Sequence, residues 1–443
     1  MKCGCCNQNP CTCGATEPAQ ADSADFVQSG PAPNEGYDKA LALLRRVSTP
    51  DGFVASATER TNYRRVWGRD GVITGLAALL CEDTQLVSTF KQTLLTLASH
   101  QGPQGEIPSN VDKASGRVSY GGTTGRLDAD LWFAIGCAEY WVASRDEKFL
   151  EEVVPVLKKV DFLLRAWEFN NRGLLFVPPA GDWADEYIQS GYVLYDQLLY
   201  LQAQRSLAAL HQANGDSRKT VYHEQRARQL KTLIQANYWF QGVDEPPDAI
   251  YHEVLYRKGY ESPHCHCRYW MPFFSPHGYG YRFDAFANVL VSLLDVADDS
   301  RRERVDRFIS ELVSGRPRLL PAFRPVIEPV DDDWERLQVT YSYTFRNQPY
   351  EYHNGGLWPM VTGFYVADLA ARGKQDEAEQ FSNGIHWANS LPLDEPWSFP
   401  EYVHGLNFTP GGTRQQAWSA AAAVIAHQAI NGKPLFQVKG SDQ

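Results

Sequence analysis

Six short stretches of this chain crowd aromatic and polar side chains together, and five of them carry carboxylates. They are Trp67-Gly68-Arg69-Asp70-Gly71, Gly125-Arg126-Leu127-Asp128-Ala129-Asp130-Leu131-Trp132, Gly181-Asp182-Trp183-Ala184-Asp185-Glu186, Arg282-Phe283-Asp284-Ala285-Phe286-Ala287-Asn288, Tyr352-His353-Asn354-Gly355-Gly356-Leu357-Trp358-Pro359 and Trp397-Ser398-Phe399-Pro400-Glu401-Tyr402. Any one of these acids, Asp128 or Asp70 for example, is by itself an ordinary helix cap or dipole partner. The recurrence of Asp or Glu with Trp, Tyr, His or Asn is what points to a site. Sugars suit such a lining, because their C–H faces stack on rings and their hydroxyls bond to carboxylates. With no Ser or Cys nucleophile signature, the chemistry is acid/base work on a glycosidic bond. One carboxylic acid protonates the leaving oxygen while a second carboxylate activates water or attacks directly.

The elements that must position these residues follow from apolar spacing and from start and stop signals. These predict helices over 36–48, 70–81, 84–101, 127–144, 147–168, 190–212, 217–237, 283–296, 300–314, 355–371, 374–387 and 413–430. Links within pairs are short, as at Glu82-Asp83, Arg145-Asp146, Asn214-Gly215-Asp216 and Gly373; those between pairs are long and rich in Gly, Pro, Trp and Asp. Six such hairpins predict an all-α (α/α)6 toroid, an inner ring of six helices sheathed by an outer ring. An α-solenoid also pairs helices, but its self-similar period is missing here. The stretch 240–281 is read as a long irregular insertion, of a kind that is functional or carries a small strand pair.

Each motif lies ahead of an even-numbered helix. If those helices form the inner ring, all six motifs open on one face and converge on one pocket. In a ring of six, Asp185 (or Asp182) before the sixth helix and Glu401 before the twelfth stand diametrically opposed. An inverting glycosidase holds its two carboxyls apart in this way, with ~6.5–9.5 Å between them for a water.

Composition narrows the partners. The 443 residues carry 53 Asp plus Glu against 42 Lys plus Arg, a net charge of -11, with 12 Trp and 22 Tyr. A nucleic-acid partner or an anionic membrane surface calls for the opposite sign. Apolar runs such as Val72 to Cys81 and Ala420 to Ala426 are shorter than the ~20 residues of a membrane span. Met1 to Gly14 has no apolar core of a secretory signal, so the expected location is cytoplasmic. Cys3, Cys5, Cys6, Cys11 and Cys13 crowd into a tail over 1–33 that is expected to be disordered, and 34–435 reads as one catalytic domain. Cys81, Cys137, Cys265 and Cys267 remain, and an odd total of nine argues against a disulfide framework. His264-Cys265-His266-Cys267 offers soft ligands, but as a strand it would put the His and Cys pairs on opposite faces. No metal and no cofactor is assigned.

From about Thr61 to Ala429 the chain resembles the (α/α)6-barrel glycoside hydrolases that include neutral/alkaline invertases and the amylo-α-1,6-glucosidase domain of glycogen debranching enzymes. Trp67-Gly68-Arg69-Asp70 looks like the debranching pattern; Asp182-Trp183-Ala184-Asp185 and Pro349 to Pro359 look closer to the invertases. The resemblance implies an inverting mechanism on an α-glucosidic bond, with Asp185 in its Trp-x-Asp context as general acid. Glu401, which follows a Pro late in the chain, matches the general base. By the same resemblance Arg69 and Asp70 hold sugar hydroxyls with Asp128 nearby, and Asp182 and Trp183 belong to the acid-side lining. His353, Asn354 and the Gly355-Gly356 turn shape the pocket edge, while Trp67, Trp132 and Trp358 supply stacking. Ala184 and Glu186 depart from the pattern, since a larger apolar residue and, in the invertases, a basic residue are usual there. The implied substrate is a small soluble sugar: an α-1,6-glucoside, sucrose or a related α-glucoside. Two other classes remain open. A sugar epimerase or isomerase on the same barrel would use His, and only His353 and His404 lie in these motifs. A non-catalytic carbohydrate-binding protein would need neither Asp185 nor Glu401.

Overall fold

The computed structural model describes residues 30–58, 62–242, 248–340 and 344–440. The N-terminal Cys cluster and most of the expected tail lie outside the described residues. In chain order the helices are α1 (Pro33–Arg46), α2 (Gly68–Cys81), α3 (Thr84–Ser99), α4 (Leu127–Ser144), α5 (Glu147–Ala166), α6 (Leu194–Ala213), α7 (Ser217–Asn237), α8 (Glu253–Glu261), α9 (Ala285–Leu293), α10 (Asp299–Leu312), α11 (Trp334–Gln338), α12 (Pro359–Ala371), α13 (Gln375–Ser390) and α14 (Ala417–Ile430).

Helix α2 packs on α4, α4 on α6, α6 on α9, α9 on α12 and α12 on α14, which returns to α2, so the inner ring closes. Sequence explains why these six are inside. Helix α2 buries every residue but Cys81, and α9 buries Ala285 through Val291 without a break. A helix apolar all round finds no stable place on a surface. The outer helices are one-sided: α5 buries Phe149, Leu150, Val153, Val154, Leu157, Val160 and Leu164, the spacing of a single face.

Capping divides the two rings as well. Outer helices α3, α5, α7 and α10 begin on Asp83, Asp146, Asp216 and Asp298, whose side chains accept first-turn N–H groups. Among inner helices only α9 is capped by a side chain, Asp284; the residues preceding α2, α4, α6, α12 and α14 make no such bond. Asp70 and Asp128 therefore stand at inner-helix starts without being spent on capping.

Short strands staple the mouth of the ring. Val66–Trp67 pairs with Asn110–Asp112, Tyr192–Val193 with Phe273–Ser275, Phe283–Asp284 with Phe323–Arg324, and Tyr402–Val403 with Pro410–Gly411, all antiparallel. Four inner helices, α6, α9, α12 and α14, begin a few residues later than periodicity suggested, the strand residues Tyr192–Val193 and Phe283–Asp284 and Pro359 at the first position of α12 taking up the difference, whereas α2 begins two residues earlier. The apolar motif residues sit in strands and turns ahead of the helix. The insertion over 240–281 contains the expected strand pair, Phe273–Ser275 with Gly278–Tyr279, and also α8, capped by His252. That helix was not anticipated because only Tyr256 and Gly259 of it are buried, too few to give a period. Among the described residues no helix is long and apolar enough to cross a membrane.

Candidate active site

Glu401 lies in the connection between α13 and α14, directly before the strand Tyr402–Val403. Its Oε1 accepts the Tyr63 hydroxyl at 2.8 Å and its Oε2 accepts the Thr413 N–H at 2.9 Å. Burial pushes its pKa above the usual carboxylate value, while the Arg346 charge, the Thr413 N–H and the Tyr63 hydroxyl pull it back. The backbone around it is strained: Trp397, Phe399 and Gln415 hold φ of 62°, 44° and 52° without being glycine. Gly412, at φ +74°, lies behind the carboxylate, and a Cβ there would stand 2.5 Å from Glu401 Oε2.

Asp185 Oδ2 is 2.8 Å from Arg126 Nη2, and its Oδ1 is 3.5 Å from the Tyr352 hydroxyl. Its side chain keeps 14% of its surface exposed. Asp182 is different. Its Oδ1 accepts the Ala184 N–H at 2.8 Å and its Oδ2 the Gln189 amide at 2.6 Å, and it is sealed from solvent. Burial first, then the Asp128 charge, pushes its pKa up to about 7. Asp182 builds the turn from which Asp185 reaches outward.

A buried polar floor lies near Glu401. Arg69 donates to Asp128 Oδ2 at 2.8 Å and lies 3.7 Å from Asp70, with the Tyr195 hydroxyl 3.4 Å from Asp128. Burial, opposed by Arg69 and reinforced by Glu401, pushes the Asp70 carboxyl up to about 6. Among the described residues several buried polar atoms here have no hydrogen-bond partner: Asp70 Oδ2 and Arg69 Nε, which face each other only across the 3.7 Å ion pair, with Arg126 Nε, His353 Nδ1 and Trp418 Nε1. Buried polar groups are nearly always satisfied, so their gathering beside Glu401 suits a ligand rich in hydroxyls.

Other residues singled out in the sequence occupy different roles. Trp67 keeps partial exposure, its Nε1 donating to the Asn62 carbonyl at 3.0 Å, and so retains a face for stacking. Trp132, expected to stack on sugar, is sealed in the ring, its Nε1 bonded to the Tyr195 hydroxyl at 2.8 Å. Trp358, also expected to stack, is sealed as well and lies parallel to His353 at 5.2 Å with its Nε1 on the Tyr352 carbonyl. Trp183 packs edge-on against Phe286 and Trp358 at 5.5 Å. These three rings support the floor from beneath, because the inner ring is too tightly packed to leave them a free face. Asn354 is likewise corrected from pocket edge to loop clamp. Its amide bonds both backbone groups of Ile327 and the Asn347 carbonyl, and nothing of it is exposed. His353 is buried and held neutral by desolvation and by Arg346, Arg69 and Arg126.

Sequence reasoning missed Tyr63, Arg346, Tyr352 and Thr413, and gave Arg126 no role. Tyr352 and Arg126 stand inside quoted motifs. Tyr63 and Arg346 meet their carboxylate partners across 338 and 160 residues, a relation without a local signal. Among the described residues no three His, Cys, Asp or Glu side chains converge on a metal position. Cys265 and Cys267 are buried, and His266 lies against Tyr269 at 4.0 Å.

A family model described as alkaline and neutral invertase matches residues 42–245 and 263–433. The chain is 23% identical to the probable alkaline/neutral invertase A, chloroplastic, of Arabidopsis thaliana, over 91% of this chain and 71% of that protein. It is 22% identical to cytosolic invertase 1 of Oryza sativa subsp. japonica, over 88% of this chain and 76% of the relative. Among solved structures, a bacterial glucoamylase complexed with acarbose superposes with a TM-score of 0.63 at 15% identity, covering 91% of this chain. The chain spans 56% of that glucoamylase's length. A mannosylglycerate hydrolase from Thermus thermophilus superposes with a TM-score of 0.62 at 14% identity, over 88% of this chain and 99% of its own. The two solved structures share the six-hairpin toroid fold with this chain.

Proposed function

The chain belongs to the alkaline and neutral invertase family of six-hairpin glycoside hydrolases, and from that premise we propose that it cleaves the α-glucosidic bond of a small sugar with inversion, Asp185 acting as acid and Glu401 as base. The observation that carries the assignment is the mounting of Glu401. Both carboxylate oxygens are oriented by donors, Tyr63 and the Thr413 N–H. A protein that only bound sugar would have no use for a carboxylate oriented against strain. The glucosyl unit rests on Asp70, Arg69 and Asp128, whose free polar atoms take its hydroxyls. Asp185 gives its proton to the glycosidic oxygen as the C1–O bond breaks. Glu401 takes a proton from a water that attacks C1 on the opposite face, so glucose leaves as the β-anomer.

Asp185 is preferred to Asp182 because its carboxyl is reachable, whereas both Asp182 oxygens are engaged inside the turn. In the free enzyme Arg126 occupies Asp185; the glycosidic oxygen has to take over as its partner when substrate binds. An epimerase finds weaker support: His353 is sealed and neutral, and His404 accepts backbone N–H groups of Leu406 and Asn407. A cytoplasmic setting, that of the rice relative named as cytosolic, belongs to the same proposal.

The test is a panel of α-linked glucosides, sucrose and isomaltose first, with NMR of the anomer released. The β-anomer is expected, and initial release of the α-anomer overturns inversion. Asp185→Asn and Glu401→Gln are each expected to cut kcat by at least about 10²-fold with the fold intact by circular dichroism. Near-normal turnover in either variant removes its assignment.

A further inference from the structure

Arg346 is not used by the chemistry above, yet it is mounted with more care than a surface arginine. Its Nε donates to Glu186 Oε2 at 3.0 Å, and its guanidinium lies 4.1 Å over the ring of Tyr352. Glu186 is itself held: its carbonyl accepts the Thr340 hydroxyl at 2.8 Å and the Asn347 amide, and its carboxylate is almost wholly buried. Asn347 Oδ1 in turn accepts the N–H groups of His353 and Asn354, at 3.0 and 3.2 Å. Tyr350 and Tyr352 hold φ of 68° and 45° in the same loop. A guanidinium fixed at Nε and laid on a ring keeps its two Nη amino groups pointed in a set direction. The Arg346 side chain is 35% exposed, and among the described residues Glu186 alone accepts its hydrogen bonds.

Position decides what those groups face. Glu186 follows Asp185, and Tyr352 touches both Asp185 and Arg346. The glucosyl floor, Arg69 with Asp70 and Asp128, lies deeper. A general acid stands on the leaving-group side of the bond it cleaves, so the fork beside it borders the departing group. We propose that Arg346, fixed by Glu186 and Tyr352, is the specificity determinant of the leaving-group subsite, and that it selects a neutral polyhydroxylated leaving group, a second sugar or a polyol, through two N–H groups donated to neighbouring hydroxyls. Charge fixes the class. Arg346 and Arg126 are each matched by a carboxylate, Glu186 and Asp185, and Glu401 adds a third. When Asp185 carries the proton it donates, Glu186 and Glu401 still balance the two guanidiniums, so an anionic leaving group finds no net attraction, whereas hydroxyls accept from the fork.

The inference rests on the hydrolytic reading, and the experiment separates the two. Sucrose and isomaltose are compared with α-glucosyl fluoride, whose leaving group makes no hydroxyl contacts, by kcat/KM on the full chain. In Arg346→Lys, which keeps the charge near Glu401 but not the fork, the disaccharide-to-fluoride ratio is expected to fall about tenfold. Glu186→Gln, which loosens the fork, moves the ratio in the same direction by less. The ratio cancels the folded fraction, so a poorly folding variant still reports. An unchanged ratio in both variants overturns the assignment of Arg346 alone. So does an equal fall on all substrates accompanied by a shifted acid limb, which would make Arg346 only a tuner of Glu401. In the same assay, undiminished fluoride release by Glu401→Gln removes the hydrolytic reading, and this proposal with it.

Discussion

On the proposed assignment Glu401 works as a base only when ionised, and its surroundings hold that form in balance. Burial raises its pKa, and the Tyr63 hydroxyl is one of the groups that lower it. Removing that hydroxyl with Tyr63→Phe leaves burial less opposed, so the pKa rises further. The acid limb of the kcat/KM profile is therefore expected to move to higher pH, with kcat at the optimum down by about tenfold. A pH–rate series on both proteins checks this, and a limb that moves down or stays in place contradicts the role of Tyr63. At this scale the sequence was readable where chemistry repeats. Asp70, Asp128, Asp185 and Glu401 stand in motifs that recur ahead of every inner helix, so their conjunction is visible without coordinates. Tyr63 and Arg346 repeat nothing. Their importance lies in which carboxylate they meet, and folding alone supplies that. Trp132 and Trp358 show the opposite failure: rings beside carboxylates read as sugar platforms, yet packing seals both.

Helices and their connections set the precision of the site. Inner helices α2 and α4 begin on residues that make no side-chain cap, and the connections ahead of α12 and α14 carry the strained residues Tyr350, Tyr352, Trp397 and Phe399. Gly412 tests how closely that connection is built. Gly412→Ala adds a methyl 2.5 Å from Glu401 Oε2 at φ +74°, so it is expected to displace the carboxylate and cut kcat by at least about tenfold. Gly373, between α12 and α13, has the same φ of +74° but open space around the added methyl. Gly373→Ala should cost about 1 kcal/mol of stability and leave turnover untouched. Urea unfolding and steady-state rates on the pair separate backbone strain from collision with the base. Equal activity loss in both would mean that the contact with Glu401 is irrelevant. Hairpins and parity were legible because short and long links alternate and the outer starts carry capping Asp. The exact starts of α6 and α9 were not, because the strand residues Tyr192–Val193 and Phe283–Asp284 run directly into them.

Across the whole molecule, the ring is closed at its other end by the C-terminal segment. Leu435, Phe436 and Val438 are buried there, and the Gln202 amide donates to the Val438 carbonyl at 2.8 Å. Glu139 of α4 accepts the N–H groups of Gln437 and Val438, at 2.9 and 3.1 Å. A cavity of about 560 Å³ opens beside this segment, lined by Arg205, Arg302 and Phe436. It lies away from the catalytic carboxylates. Burial pushes the Glu139 carboxyl from 4.5 up to about 7. The folded state thus holds this proton more tightly than the unfolded chain between those values. Its contribution to stability is full below the unfolded pKa and is lost as pH rises through the folded one. Glu139→Gln removes that titration, so the stability of the variant relative to the parent should rise between pH 5 and pH 8. Melting curves at the two pH values read it directly; a difference that stays constant or narrows contradicts the burial argument.

The sequence by itself determined the class of fold and the kind of chemistry. Helical periodicity, link lengths and the recurrence of carboxylates with rings are local properties, and each survives in a one-dimensional reading. Only the tertiary structure decided which aromatic rings are sealed in the core, and that Asp182 is engaged inside a turn while the Asp185 carboxylate stays partly exposed. It also brought Tyr63 to Glu401 and Arg346 to Glu186. Those distinctions depend on burial and on contacts between residues remote in sequence, which exist once the ring closes.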